Sequence, residues 1–106
     1  MTAKIVIVGY KPKEGKAEAL KELTRRHHST LRNENLVTDR LPIIMEAKDG
    51  TIIEVFEWVS KTAMEKAHTN PVVLQMWQEY SLVCDYIPIG KLEEAMNLFS
   101  AFEPFE

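Results

Sequence analysis

The pair Asp49-Gly50, set between the apolar runs Leu41 to Lys48 and Thr51 to Trp58, constrains this chain more than any other feature. Asp-Gly suits a two-residue type I′ turn, whose twist matches that of antiparallel strands, so the segment predicts a β-hairpin. With a two-residue loop, Lys48 faces Thr51, Ala47 faces Ile52, Met45 faces Glu54 and Ile43 faces Phe56. One face then carries Ile43, Met45, Ala47, Ile52, Glu54, Phe56 and Trp58, and the other Ile44, Glu46, Ile53, Val55 and Glu57. Both faces are too apolar to stand in water, so both need cover.

The rest of the chain supplies it. Ile5 to Tyr10 is a continuous β-branched run with Ile5 and Ile7 on one face and Val6, Val8 and Tyr10 on the other, which predicts a strand buried on both sides. Leu20, Leu23, His27 and Leu31 form one stripe of a helix over Lys16 to Asn33, and Asn33-Glu34-Asn35 suits its exit. Ser60 or Thr62 caps a second helix whose inner stripe is Ala63, Met64, Ala67 and His68. Asn70-Pro71 breaks that helix near His68 and restarts it, with Val73, Met76 or Trp77, Tyr80 and Val83 or Cys84 inward as far as Asp85. Asp85 to Ile89, interrupted by Pro88, fits only an edge strand. After Gly90, Leu92, Ala95, Met96, Phe99 and Phe102 predict an amphipathic helical tail that has to dock on its own domain or on a neighbour.

The order strand, helix, strand, strand, helix, strand is that of a ferredoxin-like βαββαβ domain of the α+β class, with an antiparallel sheet and both helices on one face. At 106 residues the chain is one such domain, with a core over about 4–89 and the tail over about 90–106. Helices leave the other sheet face bare, and the same face of a second copy covers it most simply, so a homodimer is expected.

Charge and cysteine usage narrow the function. Thirteen Lys and Arg against sixteen Asp and Glu, a net charge of -3, provide no positive field for nucleic acid or an anionic membrane. The N-terminal apolar run of about five residues is far below the ~20 of a membrane span, and the single Cys84 excludes an internal disulfide, so a soluble cytoplasmic protein is expected. His27 and His28 are adjacent on a helix and diverge by about 100°, so they cannot chelate one ion, and no metal motif is present.

Candidate chemistry gathers where the second helix breaks. His68, on its inner face, and Trp58, at the end of the hairpin, could line a pocket in which a desolvated imidazole serves as general base toward a phenol or enol. The plainer assignment has His68 packed beside Met64 and bonded to backbone. His27 reads as a core histidine, Trp58 and Trp77 as core aromatics. Tyr10 and Tyr80 could aim hydroxyls into the cleft between helices and sheet, or be bonded to backbone. Glu54, placed among apolar neighbours, needs a cationic partner, a role as a pocket acid, or water at an open barrel mouth, and the last is the default. Cys84 reads as an inert small hydrophobe.

With the hairpin, Glu57-Trp58-Val59-Ser60 and Ala63-Met64-Glu65-Lys66-Ala67-His68-Thr69-Asn70-Pro71, the chain resembles the antibiotic biosynthesis monooxygenase family of dimeric α+β barrels, from Lys4 to about Ile87. The resemblance implies oxygenation of a phenol or quinol without metal, flavin or other cofactor, in a pocket between sheet and helices. By position it implies His68 as the catalytic base, with Trp58, Asn70, Trp77, Tyr80 and His27 around the substrate. Haem-degrading relatives carry an asparagine on the first strand, and Ile5 to Tyr10 has none. Fold membership alone does not choose a reaction, and the alternative is a non-catalytic homodimer that binds a hydrophobic ligand or acts in stress response.

Overall fold

Alternation along the strands sorts the apolar side chains onto two sheet faces, and the helices take one of them. The computed structural model describes residues 2–106. Its elements are β1 (Lys4–Pro12), α1 (Ala17–Asn33), β2 (Ile43–Glu46), β3 (Ile52–Trp58), α2 (Lys61–Ala67), α3 (Pro71–Val83), β4 (Cys84–Ile87) and β5 (Glu103–Pro104). The strands form one antiparallel sheet in the order β4-β1-β3-β2-β5. The class is α+β, and the arrangement of the first four strands is compatible with a ferredoxin-like domain.

The near face carries the main core. Tyr10, Ile52, Phe56 and Trp58 from the sheet meet Leu20, Leu23 and Leu31 of α1 and Val73, Met76 and Tyr80 of α3. Helix α1 ends as its asparagines predict: Asn35 is left-handed at φ 60°, and Leu36 N–H donates back to the Leu31 carbonyl at 3.1 Å. Ser60 caps α2, its hydroxyl accepting from Ala63 N–H, and Asn70 caps α3 directly before Pro71. Helix α3 stops at Val83, two residues earlier than expected, so Cys84 opens β4.

The hairpin forms with a loop one residue longer than expected. Lys48, Asp49 and Gly50 make a three-residue connection in which Gly50 N–H donates to the Ala47 carbonyl and Ala47 N–H donates to the Thr51 carbonyl. Gly50 takes φ 91°, the left-handed residue that follows the tight turn in such loops, and the Asp49 carboxylate accepts from Thr51 N–H at 2.9 Å. The register is therefore Ile43↔Val55, Ile44↔Glu54, Met45↔Ile53 and Glu46↔Ile52. A one-residue slip turns a strand over. Ile44 and Glu46 join Ile52, Glu54, Phe56 and Trp58 on the near face, and Ile43 and Met45 join Ile53 and Val55 on the far face. This corrects both face assignments made for β2 with the two-residue turn.

Residues 90–106 do not form the expected helix. They make two 3-10 turns, Ile89–Lys91 and Glu93–Met96, and the short β5. Their apolar period, Leu92 to Phe102, spans only about three turns, and Gly90, Asn97 and Ser100 are weak helix formers. The segment instead crosses the far face, where Leu92, Ala95 and Phe102 cover Ala47, Ile53 and Met45. It returns along β2, where Phe105 N–H donates to the Ile44 carbonyl at 3.0 Å and the Arg25 guanidinium lies over the Phe105 ring. Among the described residues no helix is long and apolar enough to cross a membrane.

Glycine at position 9 lets the edge strand β4 pair with β1. A Cβ on Gly9 would stand 2.7 Å from the Ile87 carbonyl oxygen, its register partner, so backbone would have to move to admit it. We expect Gly9→Ala to destabilise the domain by about 1–3 kcal/mol, measured as a lower urea midpoint at unchanged m-value; an unaltered midpoint would show that β4 yields freely.

Candidate functional site

Between the near face and the helices lies a cleft of about 380 Å³, within the range of small-molecule sites. Parity along the strands builds its floor from Val6, Val8 and Tyr10 of β1 and Phe56 and Trp58 of β3. His27 of α1, Met64 of α2, Trp77 of α3 and Tyr86 of β4 form its walls. The break at Asn70-Pro71 sets Met64 and Trp77 on two different helices, which the cleft separates. The lining holds six rings and no Lys, Arg, Asp or Glu.

Its one imidazole is that of His27, which the α1 stripe turns inward. The imidazole is buried, edge-on to Phe56 at 5.2 Å and to Tyr80 at 5.5 Å between ring centroids. Nδ1 lies 2.8 Å from Glu54 Oε1 but off the direction of an ideal ring N–H donor. Glu54 is fully buried, and the Tyr10 hydroxyl donates to the same oxygen at 2.9 Å. Oε2 has no partner. Glu54 is therefore neither paired with Arg or Lys nor wetted at a barrel mouth, as its sequence position led us to expect. Arg40 instead holds Glu57, together with Thr38.

Several sequence-predicted positions fall elsewhere. His68 is exposed, not inward: α2 ends at Ala67, and as its C-cap His68 leaves the inner stripe and lies edge-on to the outer side of Trp77 at 5.1 Å. It does not line the cleft. Asn70 is committed to structure, its carbonyl accepting from Val72 and Val73 N–H and its amide donating to Glu34. Tyr80 lies outside the lining, in the core beside the cleft, stacked on Tyr10 at 4.9 Å with its hydroxyl 3.3 Å from Thr24 Oγ1. Trp58, Trp77 and His27 do line the cleft. Sequence reasoning did not place Tyr86 in the site, nor join Glu54 to His27; the parity of β1 was the one available signal for Tyr10. Among the described residues no group of three or more His, Cys, Asp or Glu side chains is placed to hold a metal ion.

Burial dominates the acid–base character of the surrounding hydroxyls. It pushes Tyr10 well above its ordinary range, with the neighbouring Glu54 carboxylate adding to the effect. Burial also raises Tyr80 strongly and pushes Tyr86 up to about 12. The Cys84 thiol, raised to about 11 for the same reason, is a poor nucleophile at neutral pH.

These three are the protein's only tyrosines. In the unfolded chain they ionise near pH 10, whereas the fold keeps their protons. The unfolded state thus binds fewer protons above that pH, and stability must fall as pH rises past about 10. We expect tyrosinate absorbance at 295 nm to stay flat through pH 10 and to rise together with loss of native circular dichroism. A step at pH 10 in folded protein larger than the half-exposed Tyr86 alone could give would contradict the burial of Tyr10 and Tyr80.

Comparison with models of known protein families, with curated proteins and with solved structures finds no match to the chain, so what the cleft can do is read from its own geometry.

Proposed function

We propose that the cleft binds a flat aromatic phenol or quinol and that His27, backed by Glu54, is the base that removes its hydroxyl proton. The observation that carries this reading is the Tyr10–Glu54–His27 group at the base of an otherwise apolar, ring-lined cleft. An aromatic ligand gains area and ring contacts from Trp58 and Trp77, while the single imidazole sets the position of its hydroxyl. The imidazolium formed on proton transfer stays beside the Glu54 carboxylate, and the Tyr10 hydroxyl holds that carboxylate in place.

The reaction we assign is the one implied by resemblance to the antibiotic biosynthesis monooxygenases. An anthrone-type anion transfers one electron to dioxygen, the radical pair combines, and the resulting peroxide collapses to a carbonyl. One oxygen atom enters the product and the other leaves as water, whose hydrogens are the enol hydroxyl proton that His27 removes and the hydrogen left on the reacting ring carbon, together the two CH2 hydrogens of the keto form. A cleft with little polar lining suits this chemistry because it shields the intermediates from water.

The same reading includes a homodimeric α+β barrel in the cytoplasm. Ile7, Val55 and Ile43 stand in one register row across β1, β3 and β2 on the far face, beyond the reach of the tail. Ile5, Ile7 and Ile43 are 57%, 51% and 60% exposed, a patch suited to the same patch on a second copy.

Oxygen uptake by purified, metal-free protein with an anthrone tests the reaction. We expect His27→Ala to lower the rate by ~10²–10⁴-fold and His68→Ala to leave it within about twofold. Equal rates for wild type and His27→Ala would remove His27 as the base. Quenching of Trp fluorescence by the anthrone without oxygen uptake would assign the alternative, a non-catalytic ligand-binding dimer.

A further inference from the structure

The tail carries three large apolar side chains that its own domain does not use. Leu92, Ala95 and Phe102 turn down onto the far sheet face, while Met96, Leu98 and Phe99, in the same segment, are 83%, 93% and 84% exposed. The segment is fastened on both sides of this bulge. Before it, the Glu94 carboxylate is buried and accepts from Lys48 N–H at 2.8 Å; after it, β5 pairs with β2 and Glu106 pairs with Arg25. A loop held at both ends over the sheet face that displays Ile5, Ile7 and Ile43 projects its apolar tip away from its own protomer.

We propose that Met96, Leu98 and Phe99 form a clasp that seats on the open end of the far sheet face of a second copy, against Ile5, Ile7 and Ile43. This rests on the homodimer proposed above and adds to it which segment determines its affinity. The tail covers the row Gly9, Ile53 and Met45 of its own sheet and leaves the neighbouring row Ile7, Val55 and Ile43 bare. A second copy is the partner that presents the complement of both surfaces, and a twofold axis makes each contact twice. The six exposed side chains together offer on the order of 800 Å² of apolar surface, which matches the ~800 Å² that each partner buries in a stable interface. Glu57, on the same face, is already held by Thr38 and Arg40, so closing the interface strands no unpaired carboxylate there.

The test compares wild type with the double variant L98S/F99S by sedimentation velocity over a concentration series. Both substituted side chains are in solvent, and unchanged circular dichroism and thermal midpoint will verify that the fold survives. We expect a wild-type dimer and a dissociation constant at least ~100-fold weaker in the variant. A photo-crosslinking residue at position 99 should attach to the β1 peptide of a differently labelled protomer. A wild-type dimer whose affinity is unaffected by L98S/F99S overturns the clasp and leaves the dimer standing. A wild-type monomer overturns both, as does a monomer that binds phosphatidylcholine vesicles through Leu98 and Phe99.

Discussion

A carboxylate with no access to solvent organises the interior of this domain. Glu54 has neither lysine nor arginine beside it, and an uncompensated buried charge of that kind costs several kcal/mol. The Tyr10 hydroxyl and the His27 imidazole converge on one of its oxygens, and each belongs to a different element. Strands β1 and β3 and helix α1 are thereby referred to a single point. The stacking of Tyr80 on Tyr10, and the edge-on packing of His27 against Phe56 and Tyr80, extend that point into an aromatic layer that lies between the helices and the sheet.

The cleft lies where this layer gives way to an open, ring-lined space toward α2. Tyr10, Tyr80 and His27 fill the interior beneath α1 and α3. Toward α2 the buried helix positions are the small Ala63 and Ala67, and Met64 and Trp77 stand on two different helices around the cleft that Trp58 floors. What remains is apolar apart from the imidazole and the Tyr10 and Tyr86 hydroxyls. A ligand there meets many rings and one proton acceptor, which favours a planar molecule with its hydroxyl at one edge.

Much of this was legible in the chain, and what was not has physical causes. Local signals were read correctly: the parity of Ile5 to Tyr10, the α1 stripe, the asparagine exit, the Asn70 cap and the proline-limited edge strand all depend on neighbours a few residues away, while the choice between Ser60 and Thr62 as the α2 cap stayed open until the structure assigned it to Ser60. The hairpin was identified but not its register, because Asp-Gly serves both a two-residue turn and the longer loop in which Gly50 follows the turn. His68 was misplaced by extending a helical stripe one residue past the helix end. His27 was found on the correct face, yet its partner Glu54 is 27 residues away, and nothing in the spacing of either predicts their meeting. The tail showed a helical period that its weak helix formers did not sustain once the sheet offered Leu92 and Phe102 a place to bury.

The loop of Lys48, Asp49 and Gly50 has a consequence for how such a chain tolerates change. Its length sets the parity of β2, and parity alone decides whether Ile44 or Ile43 is wetted. Loss of a single codon there would therefore exchange the inside and outside of an entire strand, a larger disturbance than any point substitution along it. Variation in the length of this domain should be tolerated in its other surface connections long before it is tolerated at this corner.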